Sequence, residues 1–328
     1  MIEDQVQVII ASTNGIHYKD KVNKLTSYPR YELPIEPAQN DNALMLDIGC
    51  GWGRWLIAGA DKNYIPIGLD LIPEFAETSL KVLQAHNKTG YVVVGDLEHI
   101  PFKENIFDLV WSFSVIQHTH YDKLTSCLNH INRVLTKDGF TLLEFPNRNG
   151  IRNFFTSRKW EQHRHDKNSG RPLSVRYYTP KQYEEIFMQA FGNFSFTNHS
   201  FMGIGVLKED IKYVSTKNKI PVAISLAGSL LTRVIPGLKY ISDSIYIKVK
   251  SNIPKTPHSF YDIVPFLTKH SKTPNDNLNI IPLLQCPKTG FDMELSEDRQ
   301  KVIVPKAGLS YPIRNNIPYL LIDKALTV

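Results

Sequence analysis

The chain is short of cysteine. It has three, Cys50, Cys127 and Cys286, far apart and odd in number. That excludes a disulfide framework and suits a reducing, cytoplasmic setting. The start, "MIEDQVQVII", is acidic early and lacks a basic-then-apolar pattern, so no secretory leader is expected. The longest apolar stretch, Ile220 to Leu238, is near spanning length but is broken by Pro221, Gly228, Arg233 and Pro236, which argues against a transmembrane helix. No dense basic run accompanies the net charge of +6, so nucleic acid is a poor candidate partner. There is no internal repeat and no low-complexity tract. With 328 residues, 42% hydrophobic and 21% charged, the chain is long enough for one large domain and a small one.

What is present is order. Apolar strand-like runs alternate with helical spacing from Ala43 to Phe145: "ALMLDIG", "IPIGLD", "YVVVGD", "FDLVWSFS" and "FTLLEFP". Between them Ala76, Leu80 and Leu83, then Tyr121, Leu124, Leu128, Ile131 and Leu135, keep a helical period. Such alternation predicts an α/β fold with a mostly parallel sheet and helices on both faces. Two later runs, "FSFTNHSF" and "SIYIKVK", bring the strand candidates of this sheet to seven. Ligands of such sheets sit at the carboxyl ends of the strands, and those ends carry Asp47, Asp70, Asp96 and the run Ser112 to Gln117.

The stretch "LDIGCGWGRW" joins a strand to a helix through Gly49, Gly51 and Gly53. Glycines let backbone amides approach a ligand, and a helix start adds partial positive charge. Asp70 lies roughly 20 residues on, where an acid can bind ribose hydroxyls. Two details separate this turn from a dinucleotide site. Arg54 stands where that fingerprint wants a small residue, and Asp47 would repel a pyrophosphate. A fixed carboxylate there suits a cationic, phosphate-free nucleoside instead.

With these motifs the chain resembles the class I S-adenosylmethionine-dependent methyltransferases over roughly residues 30–250. "LDIGCGWG" is similar to their first motif and "IGLDL" to the second; "VVGDLEHIPFKENIFDLVWSFSVIQH" and "INRVLTKDGFTLLEFPN" follow in the family's order. The resemblance implies a Rossmann-like sheet, S-adenosyl-L-methionine as cofactor with S-adenosyl-L-homocysteine as product, and no metal. It implies that Gly49 and Gly51 open the backbone to the methionyl part, with Cys50 and Gly53 in the same turn and Asp47 supporting it. Asp70, beside Leu71, would bind the ribose. Asp96 would accept from the adenine amino group while the Leu97 amide faces a ring nitrogen, and the Ser114 carbonyl would receive the ammonium.

Methyl transfer needs alignment more than acid–base help, and a base matters where the acceptor must lose a proton. His118 in "SVIQHTH" is the candidate base, with packing as its bland alternative; His120 is weaker. The stretch after the fourth strand, Ser112-Phe113-Ser114-Val115, lacks the Asn/Asp-Pro-Pro-aromatic pattern of enzymes that methylate base amines. A basic, aromatic segment over 147–180 reads as a lid in which Arg171, Arg176, Tyr177 and Tyr178 could clamp an anionic or sugar-like acceptor. His163 and His165 lack a carboxylate cluster and read as solvated. An apolar insertion over 202–241 has Val222, Leu226 and Leu230 on one helical face and Ser225, Ser229 and Thr232 on another. It would either cover the active site or lie on a membrane surface, the inner one for a cytoplasmic protein.

The tail resembles the small zinc-ribbon-like family of methyltransferase activators and their short bacterial relatives, through "CP" at Cys286 and "YPIRNNIPYLL". Thr289 stands where a paired cysteine would be, so zinc is not expected. The organisation expected is an N-terminal cap segment (1–40), a methyltransferase domain (41–251), a linker (252–276) and a zinc-less β-rich module (277–328) that steadies its neighbour in cis. The acceptor expected is a small molecule or a glycan, lipid-linked ones included, methylated at oxygen. RNA methylation with a fused activator and a non-catalytic cofactor-binding scaffold are the rival readings. The sequence leaves the oligomeric state open.

Overall fold

A computed structural model describes residues 33–40, 42–155, 175–201, 216–251 and 276–327. His163, His165, Arg171 and parts of the cap segment, lid, insertion and linker lie outside the described residues. In chain order the elements are β1 (Leu44–Ile48), α1 (Arg54–Ala60), β2 (Ile65–Asp70), α2 (Pro73–Ala85), β3 (Tyr91–Gly95), β4 (Phe107–Phe113), α3 (Tyr121–Val134), β5 (Leu135–Pro146), α4 (Pro180–Phe191), β6 (Phe196–Ser200), α5 (Lys219–Leu231) and β7 (Ser244–Lys250). Short strands close the chain: β8 (Glu294–Leu295), β9 (Lys301–Val304), β10 (Leu309–Arg314), β11 (Ile317–Leu320) and β12 (Leu326–Thr327). The fold is the α/β, Rossmann-like one expected, with extra C-terminal strands. Among the described residues no helix is long and apolar enough to cross a membrane.

The chain divides into two compact units, with β4, α3 and β5 running through both. The first holds the described residues up to Trp111, His130–Phe140 and those beyond 275. Its strand order is β5-β4-β1-β2-β3-β11-β10-β9-β8, with β12 on β10. β1, β2 and β3 pair in parallel and are buried along their whole length. That is why they read as continuous apolar runs rather than alternating ones. The tail joins this sheet directly: β11 pairs in parallel with β3, Tyr319 opposite Val94 and Leu320 opposite Gly95. Ile317 and Tyr319 pack in one core with Leu80 and Leu83 of α2 and Val92 and Val94 of β3.

The second unit holds Ser112–Asn129 and the described residues from Thr141 to 251, with strand order β6-β7-β5. β6 and β7 are antiparallel, with a register shift between Asn198 and Ser200. α4 begins and ends as its sequence dictates. Thr179 and Gln182 form a capping box, Pro180 takes the first turn, and Gly192 closes the helix in the left-handed region. β5 starts at Leu135, earlier than the run "FTLLEFP" suggests.

Candidate functional site

In the first unit the turn after β1 is anchored to the end of β2: the Gly49 amide donates to the Leu69 carbonyl at 2.7 Å. Gly51 has φ of +56°, and a Cβ there would meet nothing within 4 Å, so bare backbone faces open space. Gly53, at φ +88°, is needed for a second reason, since a Cβ would come within 3.1 Å of the Ser79 backbone on α2. The Ser79 hydroxyl in turn donates to the Gly51 carbonyl at 2.8 Å, and the Cys50 thiol is buried behind the turn.

Asp70 is the hinge of this geometry. One carboxylate oxygen accepts from the Gly51 amide and the other from the Ile72 amide, both at 2.9 Å. Burial pushes its carboxyl up to about 6, against the pull of those amides and that of Leu71, whose side chain is exposed beside it. Asp47 is fully buried, and neither of its carboxylate oxygens accepts a hydrogen bond. Burial pushes it up to about 8, with Arg54 lowering it and Asp70 raising it. A buried carboxylate without donors is costly. An open glycine turn, an amide-anchored acid and an orphaned acid suit a cationic ligand better than a phosphate. After β3, Asp96 accepts from the Glu98 amide at 2.9 Å and caps the short turn containing Leu97. The side-chain ends of Asp96, Glu98 and His99 lie within 4.8 Å of one another, a grouping that the sequence reading missed.

The raised Asp47 value has a measurable result. From about pH 4 to about 8 the folded chain keeps a proton that the unfolded chain has lost, so stability falls as pH rises through that window. Asp70 does the same only up to about 6. Between pH 6 and 8 wild type should therefore lose stability by up to roughly 1.4 kcal/mol per pH unit through Asp47, and Asp47→Asn should show a flatter slope. Urea unfolding at several pH values measures it; parallel slopes would disprove the assignment.

In the second unit the end of β4 turns sharply at Ser114, whose φ is +59°. Its hydroxyl donates to Glu144 at 2.6 Å, and the Ser244 hydroxyl donates to the other Glu144 oxygen. The Ser244 proton is thereby committed, so Ser244 accepts from His199 Nδ1 at 3.1 Å. The His199 ring stands edge-on to Phe113 and Tyr246, at 5.1 and 4.6 Å between centroids. Glu144, Ser244 and His199 were absent from the sequence reading. The legible signal was Glu144, an acid inside the apolar run "LLEFP".

The expected acceptor clamp is partly spoken for. The Arg176 guanidinium donates to the His118 carbonyl and its amide to Gln117, latching the segment to the turn Ile116–His118. Tyr178 is buried between Tyr121 and Tyr183, at 5.4 and 5.5 Å between centroids. Tyr177 is half-buried, its phenol raised by burial with Arg152 and Asp243 nearby. Asp243 accepts from the Arg152 and Asn153 amides, and Asn147 donates to the Tyr240 and Ser242 carbonyls, fixing the start of the lid. In the tail, Cys286 has the Tyr311 hydroxyl at 3.4 Å, and hydrogen bonds from Thr289 and Tyr311 hold its thiol below the usual range against burial.

Comparison with known proteins gives a family match and partial relatives. Residues 46–143 match the family described as a methyltransferase domain. A malonyl-[acyl-carrier protein] O-methyltransferase of Herminiimonas arsenicoxydans is 36% identical over 109 residues, covering 31% of this chain and 38% of that protein. A UPF0434 protein of Ehrlichia ruminantium is 41% identical over 46 residues, 14% of this chain and 84% of that protein. The structure of Haemonchus contortus phosphoethanolamine N-methyltransferase 2 with S-adenosyl-L-methionine is similar at 17% identity and a TM-score of 0.46, covering 70% of this chain and 52% of that one. The chain spans about two fifths of the length of the first curated relatives it matches, at 43% and 38%.

Proposed function

Because residues 46–143 match a methyltransferase domain and a 46-residue stretch belongs with the UPF0434 proteins, we propose that the chain is a class I S-adenosylmethionine-dependent methyltransferase that methylates an oxygen of a small-molecule or glycan acceptor. The observation that carries the cofactor part is Asp70, tied at 2.9 Å to the Gly51 amide of an open glycine turn, with Asp47 buried and orphaned at the end of the strand before it; the acceptor rests on the lid's Arg176, Tyr177 and Tyr178. S-adenosylmethionine, when bound, supplies an electrophilic methyl group on a sulfonium. Asp70 accepts from the ribose hydroxyls, Gly49 and Gly51 leave room for the methionyl part, and Asp47 offsets its positive charge. Asp96 and the Leu97 amide read the adenine, and the Ser114 carbonyl receives the ammonium. Cys50, Gly53 and Leu71 shape the same turn and strand end.

An acceptor hydroxyl must give up a proton. His118 is one candidate to take it. Deprotonation by a histidine suits an acceptor hydroxyl, since a neutral imidazole takes a proton near pH 7. Calorimetry with S-adenosylmethionine, followed by mass spectrometry of metabolites, glycans and RNA for a gain of one methyl group, tests the activity. Product on RNA would replace the acceptor assignment, and cofactor binding without any product would support a scaffold. Once an acceptor is in hand, His118→Ala should lower turnover roughly 10²- to 10⁴-fold with cofactor affinity kept. Turnover unchanged in His118→Ala removes the role from His118.

A further inference from the structure

Helix α5 is packed the wrong way round for a helix lying against a protein core. The side held down carries Ser225 and Gly228 with a single fully buried apolar residue, Val222. The Phe201 amide donates to the buried Ser225 hydroxyl at 3.1 Å, and Thr232 donates to Asn198 on β6 at 2.7 Å. Gly228 lies against the Phe201 ring, where a Cβ would come to 2.8 Å. The apolar side faces out. Ile220, Ile224 and Leu231 fall on one side of the helix, 72, 52 and 50% exposed, with Leu230 beside them at 57%; Val234 and Ile235, in the turn beyond the helix end, are 79 and 52% exposed. Single exposed apolar residues are ordinary, but a contiguous outward stripe marks a surface that meets something apolar.

The charges around the stripe say what it meets. From Thr216 to Ser242 there is no aspartate or glutamate, while Lys217, Lys219, Arg233 and Lys239 flank both ends. Lys217, Lys219 and Arg233 are exposed. The Lys239 ammonium lies over the Phe196 ring at 4.4 Å, next to exposed Tyr240 and Ile241. Aliphatic side chains on the outer face, cations at its borders and no acid match the interface of an anionic bilayer. We propose that α5 and the turn through Ile241 seat flat on an anionic membrane surface, the stripe entering the acyl boundary and the cations meeting the headgroups. This goes beyond the methyl-transfer reading and stands on the helix alone, so its test needs no turnover.

The test is flotation of the full chain with vesicles of phosphatidylcholine, with or without phosphatidylglycerol. Wild type should bind the anionic vesicles more strongly, and added salt should weaken binding. Ile224→Ser with Leu231→Ser should lower the partition at least about tenfold, because both side chains leave the acyl boundary. Lys217→Glu with Lys219→Glu should lower it by more than roughly fivefold per lysine, since each change both removes a cation and adds an anion, and should remove the preference for phosphatidylglycerol. All of these residues point outward, so melting temperature and cofactor affinity should stay as in wild type. Absence of wild-type binding to anionic vesicles overturns the proposal, as does unchanged binding of the Ile224→Ser, Leu231→Ser variant. A dimer that this double variant turns into monomer, without vesicle binding, assigns the stripe to a second copy and overturns it equally.

Discussion

Asn277→Ala should destabilise the whole first unit by about 3 kcal/mol, although residue 277 lies far along the chain from the sheet it supports. Asn277 is buried, and its side chain behaves like a piece of strand. Its oxygen accepts from the Val92 amide at 2.7 Å, and its nitrogen donates to the Val92 carbonyl at 2.8 Å and to the Asn316 carbonyl at 2.9 Å. Alanine leaves these backbone groups without partners in a buried place, at about 1–3 kcal/mol each before water relieves some of it. The loss should spread, because β11 is hydrogen-bonded to β3 and its Ile317 and Tyr319 share a core with α2. The Tyr319 hydroxyl also donates to Glu77 of α2 at 2.9 Å. Tryptophan fluorescence in a Trp160→Phe background reads this spread, since the other three tryptophans, Trp52, Trp55 and Trp111, all belong to the first unit and none follows Ser251. In urea unfolding the tryptophan midpoint should fall in Asn277→Ala. An unchanged midpoint would mean that the tail unfolds by itself, and its proposed role of steadying the methyltransferase sheet would be lost.

That junction also marks where sequence reasoning stops. The alternation of β1 to β5 with their helices was legible because buried parallel strands are apolar along their length, as Leu44–Ile48 and Tyr91–Gly95 are. The ends of α4 are set by Thr179, Pro180, Gln182 and Gly192, a capping pattern that its helical spacing alone does not mark. The acids at the strand ends were legible because each follows an apolar run. The pairing of Tyr319 with Val94 was not, since nothing local in "IPYL" names a partner more than 200 residues away. The apolar spacing of α5 was visible, but which face is covered depends on Phe201 and Asn198, contacts outside the helix. Glu144 could have been flagged as an acid in an apolar strand; Ser244 and His199 join it only through the antiparallel return of β6 and β7.

Asp70→Ala should weaken S-adenosylmethionine binding by about 100-fold or more. Each carboxylate oxygen of Asp70 already accepts one backbone amide, which fixes the group and leaves a lone pair on each oxygen for a ribose hydroxyl. Hydrogen bonds to a charged acceptor contribute about 1.5–3 kcal/mol each, and the alanine variant loses two of them together with the anchor of the Gly51 amide. Asp70→Asn should fare little better, because the new amide sets a donor against a backbone donor. The pH dependence carries the same signature. Burial holds the Asp70 carboxyl up to about 6 and Asp47 up to about 8, and the ionised forms are the ones that favour a cation with hydroxyls. Affinity should therefore rise with pH in two steps, one near 6 and one near 8, and the lower step should be missing in Asp70→Ala. Calorimetric titration between about pH 5 and 9 reads both. An alanine variant that binds within about threefold of wild type, or a wild-type affinity without a step near 6, removes Asp70 from the ribose position.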